Sequence, residues 1–340
     1  MKVAVLLSGG VDSTIAALLL KEQGYEVAGL TMINYDEEVG EKAKAAATSI
    51  GIEHTVVDLR REFNNKVINY FCNLYEKGKT PNPCVECNRY IKFGALLSAA
   101  ENLGAEMIAT GHYARIEYDS LRGRYLLRKG TDEQKDQSYF LYTLTQDQLA
   151  KTIFPLGELT KNRVREIAVQ FGLKVAEQSD SQEICFTQNY QEFIQGKVAF
   201  SPGNVVDIEG NIIGHHKGLP FYTVGQRKGL GISGGRPIYI IGVDEANNRL
   251  VADEEKYLFS RSLLAEQNNF IMEDKLPGTI RVQAKIRYRA KPAEATIYEA
   301  GNLVKVDFDY PQRAITEGQS VVYYQDDYVI GGGIIGPPSP

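Results

Sequence analysis

Apolar residues recur in two different rhythms along this chain. In the first half, short apolar runs alternate with stretches of helical period. KVAVLL at residues 2–7 reads as a buried strand, TIAALLLKEQG as a helix that stops at Gly24, and YEVAGLTMI as a second strand. EKAKAAATSIG follows as a helix ending at Gly51, and HTVVDL as a third strand. Residues 62–76 and 92–103 read as further helices, and AEMIATGHYA as a fourth strand. Strands that alternate with helices predict an α/β fold, a doubly wound parallel sheet covered on both faces. This unit is assigned to residues 1–198. From Gly203 the pattern changes to short strands, NVVDI, IIGHHK, PIYIIGVD and RLVAD, separated by turn signals such as Glu209-Gly210-Asn211. They predict a small central β-rich domain over 199–264. TIRVQAKIRYR, AEATIYEA, LVKVDFDY and QSVVYYQDDYVIGGGII then predict a C-terminal β-barrel over 265–340.

A chain of 340 residues with 43% hydrophobic and 24% charged residues is ordinary for a globular protein of two or three domains. No segment approaches the length of a membrane span, which predicts a cytoplasmic protein without a membrane partner. The net charge of -5 does not announce a nucleic-acid partner, so any RNA contact must use local basic surfaces. Four cysteines at this density are packing, metal-binding or catalytic residues rather than a disulfide scaffold.

Two places carry candidate chemistry. The first is Ser8-Gly9-Gly10-Val11-Asp12-Ser13, between the first strand and the first helix. Its glycines let backbone approach a phosphate, and the helix N-terminus favours an anion. Ser8 and Ser13 add hydroxyl donors, and Asp12 is expected to help hold magnesium. The run lacks the Gly-Lys-Ser/Thr of a Walker A loop and the three glycines of a dinucleotide fingerprint. Met32 and Gly111, at the ends of the second and fourth strands, are placed to line the nucleotide, although Met32 by itself reads first as core packing. The second place is Cys84-Val85-Glu86-Cys87, after two prolines and before a helix. It reads as half a zinc site, a redox pair, or a reactive thiol with a lowered pKa, helped by Arg89 and Lys92. Cys185 lies in a polar segment beside Asp180 and Glu183, unlike a packing cysteine. Cys72, inside INYFCNLY, reads as core.

SGGVDS resembles the PP-loop of ATP pyrophosphatases. Together with TPNPCVECNRYIKFGAL, ATGHYAR, KDQSYFLY, FPLGELTK, DSQEICF and the C-terminal GQSVVYYQDDYVIGGGII, in this order, the chain resembles the tRNA-specific 2-thiouridylases over almost its whole length. The resemblance implies an adenine nucleotide alpha hydrolase-like first domain. It also implies ATP with magnesium as cosubstrate and ATP-dependent thiolation of the wobble uridine of the lysine, glutamate and glutamine tRNAs. The ATP set would be Leu6, Leu7, Ser8, Gly9, Gly10, Val11, Asp12, Ser13, Met32 and Gly111. Cys185 would carry a persulfide received from a cysteine desulfurase or relay protein. Cys87 would be the nucleophile, forming a disulfide with Cys185 as sulfide is released, or else helping to transfer the sulfur directly. Cys84 stands where many members carry aspartate, which weakens any general-base role there. The stretch from Asn34 to Lys44 is shorter than in those proteins and lacks their cysteines.

Arg281, Lys285, Arg287, Arg289 and Lys291 alternate with apolar residues and predict one basic face of a strand over 281–291. That pattern suits phosphate contacts and, equally, a solvated edge. The resemblance favours RNA and implies contacts at Arg287 and Tyr288, at Lys135, Asp136 and Gln137, at His112 and at Gln319. Asn82, Pro83 and Cys84 would flank the flipped-out base. Two alternatives stand beside thiolation: an amide- or lysidine-forming adenylating enzyme, which needs no cysteine, and a nucleotide-dependent RNA-binding module without catalysis.

Overall fold

The computed structural model describes residues 1–35, 38–177, 184–232 and 236–337. The first sheet holds β1 (Lys2–Leu6), β2 (Glu26–Ile33), β3 (Glu53–Asp58) and β4 (Met107–Ala109). The chain then leaves the sheet as a hairpin, β5 (Ala114–Asp119) and β6 (Arg124–Lys129), and returns as β7 (Thr152–Ile153). The order is β3-β2-β1-β4-β7, with every pair parallel. Helices α1 (Val11–Glu22) and α2 (Glu38–Ile50) follow β1 and β2. The central strand is a run of Val3, Ala4 and Val5 because both faces are covered and all three are buried. β1 is followed on one side by β2 and on the other by β4, so the topology switches between β1 and β4. Ligands in such sheets bind beyond the strand ends at that crevice.

The fourth strand is shorter than the apolar run that predicted it. Only Met107–Ala109 pair, because the chain must cross the N-terminus of α1 immediately afterwards. A Cβ at Gly111 would lie 2.8 Å from the Asp12 carbonyl carbon and from the Ser13 nitrogen. Two helical stretches, residues 60–76 and 83–102, each contain a wide π-turn, at Asn64–Ile68 and Cys87–Ala95. The helix read over 92–103 therefore begins earlier, at Pro83.

The central domain is a four-stranded sheet, β8 (Gly203–Val206), β9 (Ile212–His216), β10 (Tyr239–Asp244) and β11 (Arg249–Asp253), around Val205, Leu219, Ile240 and Leu250. His215 points outward and His216 inward, as adjacent strand residues must. The last domain comprises β12 (Phe259–Phe270), β13 (Ile280–Lys285), β14 (Ala293–Ala300), β15 (Leu303–Arg313), β16 (Ser320–Gln325) and β17 (Tyr328–Ile335). The order β12-β15-β14-β13-β16-β17 closes through β12–β17 into a six-stranded antiparallel barrel. The hairpin β5–β6 extends this sheet by pairing β6 with β17.

The basic strand over 281–291 is not continuous. β13 ends at Lys285, and residues 286–290 turn away. The row is not free of acidic partners either. Arg281 makes a two-pronged pair with Asp309 of β15, at 2.7 Å to each oxygen.

Candidate active site

The nucleotide loop sits where the switch point places it. β1 ends at Leu6, and Leu7 is tied to β2 by a bond from its N–H to the Leu30 carbonyl (2.9 Å). Thr31 Oγ1 donates to the Leu7 carbonyl (2.8 Å). Gly9 turns the chain with φ +76°, and Gly10 caps α1. Val11, Asp12 and Ser13 form the first helical turn, so their N–H groups have no intrahelical acceptor and face the crevice. Ser13 Oγ accepts from Ser8 N–H (3.2 Å) and donates to the Gly10 carbonyl (3.1 Å), which fixes the loop before any ligand arrives. A Cβ on Gly9 would lie 2.7 Å from Lys42 Cβ of α2. Gly9→Ala should therefore displace the loop and weaken ATP binding about tenfold, since strain of this kind costs on the order of 1–3 kcal/mol; calorimetric titration with ATP checks this.

The Asp12 carboxylate, expected to help hold magnesium, is engaged otherwise. Lys161 Nζ donates to both of its oxygens, at 2.7 and 2.8 Å, and Tyr113 Oη donates to one at 2.8 Å. Lys161 is only 7% exposed and opens the helix Lys161–Gln170, with Thr160 as its cap. A lysine there is at the unfavourable end of the helix dipole, so it needs an anionic partner nearby. That position within FPLGELTK was the signal that could have singled out Lys161 from sequence. One turn fixes both partners of Asp12. Asp132 accepts from Lys161 N–H (2.9 Å), and Gln137 exchanges two bonds with the Tyr113 backbone (2.9 and 3.0 Å). Asp136, in the same turn, is buried and accepts from Gly130 N–H and from the N–H and Oγ of Ser138.

The thiols gather on the far side of this crevice. Asn34, just past the end of β2, lies with its Nδ2 3.8 Å from Cys185 Sγ. Phe186 anchors that segment in a ring cluster with Phe63, Phe71 and Phe193, at centroid distances of 5.1 to 5.7 Å. Cys84 and Cys185 are exposed, whereas Cys87 and Cys72 are buried. The Lys92 charge acts on Cys84, Cys87 and Cys185 alike, and a charge on Cys185 is felt at both Cys84 and Cys87. Cys84 and Cys185 are exposed, yet burial is the largest influence on both thiols, as at the floor of a recess.

The expectation of a lowered thiol pKa is corrected. Burial pushes all three thiols up, Cys87 to about 12, and Lys92 opposes burial only in part. The helix begins at Pro83, so Cys87 lies beyond its first turn, where the free N–H groups are. Arg89 is turned away, over the Tyr90 ring at 5.0 Å. Asp180 and Glu183, read as neighbours of Cys185, lie outside the described residues. Among the described residues no group of three His, Cys, Asp or Glu side chains is arranged to hold a metal, so the zinc reading of the cysteine pair has no ligand set there.

His112 joins the two halves. It is buried, its Nδ1 lies 2.7 Å from Thr110 Oγ1, and its Nε2 lies 3.5 Å from Lys92 Nζ. An ammonium can only donate, so Nε2 accepts and Nδ1 carries the ring proton. Burial, then Lys92, holds its pKa well below 6.5. The unfolded chain therefore binds a proton here that the native chain does not. The contribution of His112 is complete above about pH 6.5 and declines as pH falls from there towards its native pKa. Urea unfolding of His112→Asn and of the parent chain across mildly acidic pH should show the smaller pH dependence in the variant.

The barrel fixes the loop that leads to Cys84. Gln319 Nε2 donates to the Thr80 and Pro81 carbonyls (3.1 and 3.2 Å), Thr80 N–H donates to Glu317 (2.9 Å), and Lys79 pairs with Glu317 (3.2 Å). Tyr139 donates to the Ser320 carbonyl (2.8 Å). Arg287 is half-buried, with its guanidinium donating to the Ala314 carbonyl and to Thr316 Oγ1. Tyr288 packs on Phe140 at 4.5 Å, with Lys285 Nζ 5.5 Å from its ring. Gln319 thus holds the loop that leads to Cys84, Tyr288 packs on Phe140 and Tyr139, and Asn82 and Pro83 are buried just before Cys84. Gln137 is joined to the nucleotide loop through Tyr113 and Asp12, whereas the Asp136 charge acts on Lys285, Tyr288 and Tyr324 on the barrel side.

No helix of the described residues is long and apolar enough to cross a membrane. Three family models match in the order of the three domains. They are described as the tRNA methyl transferase HUP domain (residues 1–189), the tRNA methyl transferase PRC-barrel domain (191–253) and the aminomethyltransferase beta-barrel domain (260–335). The tRNA-specific 2-thiouridylase MnmA of Syntrophomonas wolfei subsp. wolfei is 53% identical, over 98% of this chain and 100% of that protein. Proteins of the same name from Clostridium acetobutylicum and Moorella thermoacetica are 50% and 49% identical, over 98% and 97% of this chain and 99% and 98% of their own. A 4-thiouridine synthetase–RNA complex with bound ATP aligns with 54% of this chain and 44% of its own at 18% identity and a TM-score of 0.37, a likeness too slight to bear on function. At about half identity from end to end, and with three family models matching in the order of its domains, the chain belongs to the tRNA-specific 2-thiouridylase family.

Proposed function

We propose that this chain is a tRNA sulfurtransferase that uses ATP to replace the 2-oxygen of the wobble uridine with sulfur. The observation that carries the reading is the common recess. Cys185 meets Asn34 at the end of β2, Cys84 and Cys87 feel its charge, and the phosphate-type loop opens at the same end of the sheet. The uridine 2-oxygen attacks the α-phosphorus of ATP, and pyrophosphate departs with the bonding electrons. The Ser8–Ser13 turn receives the phosphates, Met32 and Gly111 border the nucleotide, and Lys161 supplies positive charge beside the departing pyrophosphate. A cysteine desulfurase or relay protein loads Cys185 as a persulfide. Cys87 attacks its inner sulfur, sulfide adds to C2 of the base, and AMP leaves. Both Asp12 oxygens are engaged by Lys161 and Tyr113, so the protein offers no ready-made carboxylate cage for magnesium. The ion fits here only if it arrives on the nucleotide phosphates, and no step depends on it.

Asn82, Pro83, Cys84 and His112 then surround the base, while Lys135, Asp136, Gln137, Arg287, Tyr288 and Gln319 form the RNA side, with lysine, glutamate and glutamine tRNAs as substrates. Incubation with tRNA, ATP, magnesium and a persulfide source, followed by nucleoside mass spectrometry, tests the reading. Gain of sulfur at uridine is expected. Gain of nitrogen or of a methyl group, or no change, would sink it.

A further inference from the structure

Lys92 occupies the junction of the two halves of the site. The contacts run in an unbroken chain. Gly111 touches the first turn of α1, His112 follows it, and His112 Nε2 meets Lys92 Nζ at 3.5 Å. Lys92 in turn comes five residues after Cys87. In an α-helix of 3.6 residues per turn that spacing swings a side chain well round the axis. Here Cys87–Ala95 is a π-turn, closed by a five-residue bond from Leu96 N–H to the Ile91 carbonyl. The wider turn brings position i+5 back over position i. The irregularity in the helix thus brings Lys92 round towards the face that carries Cys87. His112 is itself held by Thr110 Oγ1 at 2.7 Å and by rings of Phe93 and Phe154 at 6.0 and 5.9 Å.

We propose that Lys92 is a positioning residue for sulfur transfer: neutral His112 anchors its ammonium between the nucleotide loop and the recess, where it holds the sulfur anions of Cys87 and Cys185. The proposal rests on the thiolation reading above. In the step it serves, the Cys87 thiol loses its proton to water and the thiolate attacks the inner sulfur of the Cys185 persulfide. The Cys87–Cys185 bond forms, the bond to the outer sulfur breaks, and the electron pair leaves with hydrosulfide. A dithiol reductant afterwards restores both thiols. The titratable groups that act on these sulfurs among the described residues are Lys92 and the neighbouring thiols, with Cys84 acting on Cys87, and Asn34 adds a donor at Cys185. Neutral His112 leaves Lys92 as the cation there. Arg89 and Lys66 instead flank Glu86 and the Tyr90 ring.

The test is alkylation of the full chain by iodoacetamide, followed cysteine by cysteine by mass spectrometry from neutral to alkaline pH. In Lys92→Met, Cys84, Cys87 and Cys185 should react about tenfold more slowly at neutral pH, and their profiles should move to higher pH. Lys92→Arg should restore most of the rate. Cys72 faces Lys197 and Glu76 rather than Lys92, so its profile should not move. Superimposable profiles for all three recess thiols would overturn the proposal. If Lys92→Met unfolds, Cys72 becomes reactive too, and His112→Asn takes its place. Loss of the anchor should shift the same three thiols in the same direction, and no shift there overturns the proposal equally. The thiolation reading fails on a different measurement, persistent thiolation by Cys185→Ser.

Discussion

Cys185→Ser is expected to lower thiolation at least about 1000-fold while tRNA-dependent pyrophosphate release persists. A serine hydroxyl cannot carry a sulfane sulfur, so the effect is loss of a reactant rather than a weakened contact. The nucleotide loop is unaffected by the change, because its glycines, its Ser8–Ser13 bonds and the Asp12–Lys161–Tyr113 cluster lie on other elements. The segment should also stay in place, since Phe186 anchors it among Phe63, Phe71 and Phe193. Two assays separate the half-reactions: 2-thiouridine by nucleoside mass spectrometry, and pyrophosphate with and without tRNA. Thiolation at the parent rate would remove Cys185 from the mechanism. Loss of both activities would place Cys185 in ATP activation instead.

Lys161→Ala is expected to lower pyrophosphate release about 100-fold or more, and thiolation with it. A positioned charge at a developing anion is worth about two to three powers of ten in rate. The same change should cost stability. It removes one partner of a two-pronged pair in which the lysine is buried and leaves Asp12 with only the Tyr113 hydroxyl. Breaking such a pair costs about 3–5 kcal/mol when both partners are buried. Asp12 is about one-third exposed, at 33%, so about 2 kcal/mol is expected. Pyrophosphate release at saturating ATP reads the first effect and urea unfolding the second. Unchanged release at saturating ATP would make the pair purely structural. Because Lys161 is tied through Asp132, and Tyr113 through Gln137, to one turn, substitutions in residues 132–137 should act on ATP activation in the same direction.

The relation of sequence to site differs from residue to residue. The glycine turn was legible because its determinants are local. A buried strand, two glycines and a helix start lie within a dozen residues, and Gly9 adopts the positive φ that only such a residue takes readily. The core status of Cys72 was legible from its apolar neighbours. The acidity of the thiols was not legible. Position near a helix start argued for thiolate, but the helix begins four residues earlier than Cys87, and the protein packed around the recess outweighs Lys92. The basic row over 281–291 was read from alternation alone. Alternation says nothing of where a strand stops or of what a neighbouring strand presents, and Asp309 lies across from Arg281.

By itself, then, the order of residues determined the alternation of strands and helices, the switch to β-structure after Gly203, the phosphate-type turn and the cysteines worth suspecting. All of these depend on contacts within a few turns or a single strand, where period and turn chemistry act directly. Only the tertiary structure decided that the hairpin β5–β6 would leave its own domain to extend the barrel sheet, and that Gln319 and Glu317 would hold the loop before Cys84. It alone set Lys161 on Asp12 and gathered Cys84, Cys87 and Cys185 around Lys92. Apart from Cys84 and Cys87, which lie eight and five residues before Lys92, those pairings join residues separated by tens to hundreds of positions. They are selected by the burial and charge balance of the folded whole, which no local pattern encodes.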